Sequence, residues 1–187
     1  MYFGLAASSS LIDSRLLVVL IQEEIWSNNQ IFESVFREVF NQDISASEIH
    51  WFRNSAPTAI PEDIRPPISL LSRMTFHYGN SHNLDKIIDF CANLPTQAFG
   101  RILLLVELDE TDVPHYTSLG SIMALLADTS NALSGKNSEN NGTINAAGFS
   151  VIAVVASKVI FDSALIISLY TDCIVQQLSG GSFVNVI

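Results

Sequence analysis

At 187 residues with 48% hydrophobic side chains, the chain is long enough to bury a full core as one domain over residues 1–187, and its 15% of charged residues exclude a largely disordered chain. A net charge of −10, with nine Lys and Arg scattered along the sequence, excludes the clustered basic stripe that a nucleic-acid surface sets against phosphate. The same charge suits a basic or basic-aromatic protein partner.

Leu16 to Ile21 is a continuous β-rich run, as expected of a strand covered on both faces. Asn28 or Asn29 can cap the helix that follows, in which Ile31, Phe32, Val35, Phe36, Val39 and Phe40 recur at helical spacing. Glu48 to Phe52 reads as a shorter second strand. Pro57, Pro61, Pro66 and Pro67 predict a Pro-rich loop over 54–67. A helix pair is expected next, from Ile68 to about Tyr78 and from Leu84 to about Leu94, broken at Gly79-Asn80-Ser81. Gly100 to Leu108 is the clearest strand, Asp109 to Pro114 its exit loop, and Tyr116 to Leu133 a helix. Residues 134–146 are polar and rich in Gly and Asn, which predicts an exposed, flexible insertion. Phe149 to Val155 is another two-sided strand. Ile166 to Leu178 reads as a helix stopped by Gly180-Gly181, and Ser182 to Ile187 as a last strand. Strands alternating with helices predict an α/β fold: a mostly parallel, doubly wound, Rossmann-like sheet with helices on both faces and ligand sites at the carboxyl ends of the strands.

Phe149 to Leu178 is apolar enough to raise a membrane question. Lys158 and Asp162 interrupt it and Asp172 follows, each costing about 2.5–3.5 kcal/mol at a bilayer centre, so a buried strand and helix are expected instead. Cys91 and Cys173 read as buried free thiols, which suits a reducing compartment. The N-terminus lacks a positive n-region, so no secretory signal is read there. The sequon at Asn141-Gly142-Thr143 is taken as chance. An intracellular, soluble chain is expected.

The strand exits show what chemistry is available. No Gly-x-Gly-x-x-Gly or Gly-Lys-Ser/Thr follows the first strand, so neither a dinucleotide nor a P-loop reading fits. No Asp-x-Asp and no Gly-x-Ser-x-Gly elbow is present. His50, His77, His82 and His115 have no cysteine close in sequence and do not make a zinc motif. Acidic residues do gather: Glu23 and Glu24 after the first strand, and Glu107, Asp109, Glu110 and Asp112 at or beyond the end of the long one. Were those strands neighbours, several of these carboxylates could converge on Mg²⁺ or Ca²⁺, giving a metal-binding domain or metal-dependent hydrolase that uses Glu23, Glu24, Asp109 and Asp112. Otherwise they are solvated loop acids. Ile25-Trp26 puts bulky apolar groups where an enzyme keeps glycine and polar side chains, which suits core packing or a partner-covered site.

Several segments also carry a resemblance. Leu16 to Ile21 leading to Ile25-Trp26, Phe99 to Leu105, His115-Tyr116 with Ser121-Ile122-Met123, and Ile166 to Val186 with its Gly pair resemble the von Willebrand A-type domain in the smaller of the two such subunits of transcription factor TFIIH. They cover about half of the chain. The Asp-x-Ser-x-Ser metal motif of such domains is replaced by Gln22-Glu23-Glu24-Ile25-Trp26, residues 45–67 match poorly, and a cysteine-rich zinc-binding tail is lacking. The resemblance implies a non-catalytic nuclear scaffold in transcription initiation and nucleotide-excision repair, with no cofactor. Its implied partner is the larger von Willebrand A-type subunit, held through that subunit's zinc-binding domain. Trp26, Trp51 and Phe52 are the expected partner anchors. A third reading is a RecA-like fold that has lost its nucleotide loop and assembles with homologues; strand order separates it from the first.

Overall fold

The computed structural model describes residues 16–22, 47–56, 68–78, 83–94, 101–135, 149–178 and 183–186. Its elements in chain order are β1 (Leu16–Gln22), β2 (Ser47–Arg53), α1 (Ile68–Leu71), β3 (Met74–Tyr78), α2 (Asn83–Asn93), β4 (Arg101–Leu108), α3 (Tyr116–Gly135), β5 (Phe149–Ser157), α4 (Ile160–Ile167), β6 (Ile174–Gln177) and β7 (Phe183–Asn185). The seven strands form one sheet in the order β3-β2-β4-β5-β1-β6-β7. Every pairing is parallel except that of β6 with β7. The α/β class and the mostly parallel sheet are as the alternation of patterns predicts.

The central strands are apolar along their whole length because both of their faces are covered. On one face Leu16, Val18, Leu20, Leu104, Val106, Val151, Ala153 and Val155 join Ile87 and Cys91 of α2, Leu119, Ile122, Met123 and Leu126 of α3, and Ala164 and Ile167 of α4. On the other, Leu17, Val19, Ile21, Ile49, Trp51, Leu103, Leu105, Ile152 and Val154 form a second cluster, against which Leu71 of α1 packs. Each Val, Leu or Ile withdrawn from water contributes roughly 1.5–3 kcal/mol, so β1, β4 and β5 are the thermodynamic centre of the molecule. Neither cysteine forms a disulfide, and the two lie against opposite clusters. Cys91 is buried as expected, its thiol pushed up to about 11 by burial against a weaker opposing bond with Thr129, whereas Cys173 is only half-buried.

Two expected helices are corrected. The helix expected from Ile68 to Tyr78 ends at Leu71, and Met74–Tyr78 is instead the edge strand β3, paired in parallel with Ile49–Arg53. Thr75, Phe76 and Tyr78 are strand-favouring residues that fit a half-buried pleat. The helix expected from Ile166 to Leu178 lies earlier, at Ile160–Ile167, and Ile174–Gln177 is strand β6 beside β1. Thr171 makes the break: its hydroxyl donates to the Leu16 carbonyl at 2.6 Å and accepts the Cys173 amide at 3.1 Å. Gly180-Gly181 thus falls between two strands in the sequence, not after a helix. That pair, the helix expected at Ile31–Phe40, residues 57–67 of the Pro-rich loop and 136–146 of the polar insertion lie outside the described residues; residues 134 and 135 close α3. No described helix is long and apolar enough to cross a membrane.

Candidate functional site at the carboxyl ends of the strands

The parallel strands bring the exits of β2, β4 and β5 to one end of the sheet, with β5 standing between β1 and β4. Two inter-strand spacings, roughly 10 Å, therefore separate the β1 and β4 backbones. The adjacency on which a four-carboxylate metal site depended is absent. Glu23 and Glu24 themselves lie outside the described residues, and no group of three potential metal ligands occurs among the described ones.

The acids of the β4 exit are occupied by their own surroundings. Glu107, at the end of a strand covered on both faces, is almost fully buried beside the fully buried Arg53 of β2. Arg53 Nε lies 3.2 Å from Glu107 Oε1, and the Trp51 indole N–H donates to the same oxygen at 2.9 Å. The guanidinium also sits over the Trp51 ring, 5.4 Å from its centroid. Burial pushes the Glu107 carboxyl up to about 7, against the pull of the Arg53 charge and of the bonds from Trp51 and Arg53.

Beyond the strand, Asp109 and Asp112 build the loop. Asp109 Oδ1 accepts the Thr111 amide at 2.8 Å, the Thr111 hydroxyl at 2.5 Å and the Asp112 amide at 3.2 Å. Asp112 Oδ2 accepts the Asp109 amide at 3.2 Å, and Asn54 Nδ2 bridges both carboxylates at 2.6 and 3.2 Å. Burial drives Asp109 upward, but the bonds from Thr111, Asp112 and Asn54 outweigh it and hold the carboxyl below its ordinary value. In Asp112 burial prevails and, with the Asp109 charge beside it, raises the carboxyl. These are loop-forming roles, met by backbone and amide donors.

Next to this loop a cleft of about 580 Å³ opens between the start of α3 and the start of α4, lined by Glu110, Val113, Pro114, Tyr116, Lys158 and Val159 among others. Lys158 pairs with Glu110, Tyr116 donates to Asp162 at 3.1 Å, and the Ser157 and Ser163 hydroxyls bond each other at 2.8 Å. On its outer side α4 exposes Phe161, Leu165 and, in the following turn, Leu169.

Away from the exits, His50 Nδ1 and His77 Nε2 lie 3.1 Å apart across β2 and β3, with His77 stacked on Phe52 at 4.2 Å. One neutral ring donates and the other accepts, an arrangement that two imidazolium rings cannot share. Of the expected partner anchors, Trp51 and Phe52 are each only 1% exposed and face opposite clusters, so the chain's own core covers them; Trp26 lies outside the described residues. Sequence reading passed over Arg53, Asn54, Phe161 and Leu165. The available signal was a charge, Arg53 or Glu107, at the inward positions of two-sided strands, where only a partner permits it. No protein-family model matches the chain, and no curated protein is similar enough to count as a relative.

Proposed function

We propose that the chain is a non-catalytic scaffold subunit, a RecA-like α/β domain that lacks a nucleotide-binding loop and works by holding other protein chains. The observation that supports this reading over the TFIIH-type one is strand order. Leaving aside the edge strand β3 and the antiparallel β7, the sheet runs β2-β4-β5-β1-β6, with the first strand between the last two of the parallel core. That order resembles the RecA-like arrangement. In the dinucleotide-binding form of a doubly wound sheet the first strand adjoins the second, and here β4 and β5 stand between them. Both readings share the scaffold role, whereas a nuclear location rests on the TFIIH resemblance alone.

The internal use of the β4 acids supports the non-catalytic part. Glu107 is held by Arg53 and Trp51, and Asp109 and Asp112 by the loop they form. The test is thermal melting of the purified chain with millimolar Mg²⁺, Mn²⁺ and Mg²⁺-ATP, since any ligand of the native state raises the melting point by mass action. No shift with any of the three is expected. A rise of several degrees with metal alone would restore the reading built on Glu23, Glu24, Asp109 and Asp112, and a rise that requires ATP would overturn the loss of nucleotide binding.

A further inference from the structure

We infer that the outer face of α4 is the surface on which a basic-flanked amphipathic helix of a protein partner docks. This rests on the scaffold reading and gives it a location. An eight-residue surface helix should turn its apolar side inward and its polar side out. α4 does the first with Ser163, Ala164 and Ile167, yet its outward side carries Phe161 at 75% exposure and Leu165 at 62%, with Leu169 at 76% one turn on. The spacing of i and i+4 puts Phe161 and Leu165 in one row on the helix, and Leu169 lies in the turn that follows it. Tyr116, about half exposed, donates to Asp162, the residue beside Phe161. A row of large apolar groups one turn apart is a ridge of the kind that packs into the groove of another helix.

Charge selects the occupant. Asp162 lies on the exposed side of α4 and Asp172 beyond Leu169, both exposed, while Lys158 is paired with Glu110 at the cleft. A second copy would bring the same acidic border and a net charge of −10 to the contact, and like charges set face to face oppose docking. A partner helix with Leu or an aromatic along one side and Lys or Arg along its edges satisfies both the ridge and the rim.

The probe is a fluorescent synthetic helix with Leu along one face and Lys at its flanks, together with a twin carrying Glu in place of every Lys, titrated by anisotropy against the full chain. Saturable binding of the Lys helix is expected, weakened at least tenfold in the combined Phe161→Ser and Leu165→Ser variant and at least tenfold for the Glu twin. Ile68→Ser, at another exposed apolar residue, leaves binding unchanged. Equal affinity of the Lys helix for wild type and the combined variant overturns the proposal, since the peptide then follows overall charge. So does a wild-type dimer in light scattering that the combined variant dissolves, which makes a second copy the occupant. Native mass spectrometry of both forms purified from cells separates the two levels. A combined variant that keeps the wild type's stoichiometric partner removes this surface and leaves the scaffold reading standing, whereas a wild type without any protein partner removes the scaffold reading itself.

Discussion

Glu107 and Arg53 show how one pair of residues commits a strand exit to structure. Their charges sit at the inward end of two neighbouring strands, where a lone ion would be expelled, and the Trp51 indole shares the carboxylate. Replacing one partner leaves the other buried and uncompensated, so Arg53→Met is expected to lower unfolding stability by about 3–5 kcal/mol, measured by urea denaturation. The sign with pH follows from the raised carboxyl. The folded chain holds a Glu107 proton up to about 7, whereas the unfolded chain releases it near 4.5. The group's contribution therefore falls as pH climbs through that window and is level above it. Without Arg53 the window extends upward, so the cost of Arg53→Met is expected to be larger at pH 8 than at pH 6; an equal cost at both would show that the carboxylate does not depend on the guanidinium. The ion pair joins residues 54 positions apart across a β2–β4 pairing. The sequence displays the two misplaced charges, and only the pairing displays that they belong together.

At the scale of the element, β3 and β6 were the least legible parts. Both are short, at five and four residues, and a brief apolar run does not by itself separate helix from strand. β1, β4 and β5 were legible because seven to nine β-rich residues leave no polar face for a helix to show. The edge strand β3 is tied to β2 by His50 and His77, whose titration has a definite direction. Burial depresses both. In His77 the His50 and Lys86 charges act in the same sense, while the Glu48 carboxylate works against the shift in His50. Both folded values lie below 6.5, so the stability they contribute is full above about 6.5 and is lost as pH falls through the folded values. A drop in the urea midpoint between pH 7 and pH 5 is expected, flattened in His77→Phe; an unaltered profile in that variant would place the titration elsewhere. The α3–α4 packing makes a simpler prediction. A methyl group added at Gly120 would meet Tyr170 Oη at 3.6 Å and Ile166 Cγ2 at 3.7 Å, ordinary contact distances. Gly120→Ala is therefore expected to raise stability by about 0.5–1 kcal/mol, the usual gain of alanine over glycine inside a helix, seen as a higher melting temperature.

For the whole molecule, the order of the strands matters more than their existence. Apolar runs indicate that a strand is covered on both faces, but not which strand lies beside it, because pairing joins segments far apart in the chain: Leu16 lies opposite Val151. The absence of a glycine loop after β1 was readable in the letters, and the separation of β1 from β2 by two strands was not. The same order removes the strand adjacency assumed for a metal site of Glu23, Glu24, Asp109 and Asp112, since β5 stands between β1 and β4. Two of the expected partner anchors lie in the core. Trp51 and Phe52 are buried, whereas Phe161 is an exposed aromatic residue among the described ones. The most direct test of the scaffold role is native mass spectrometry of the full chain purified gently from its own cells. A complex of defined stoichiometry with other folded protein chains is the expected result. A chain that runs as a lone monomer, with a melting point raised by metal or nucleotide, would contradict it.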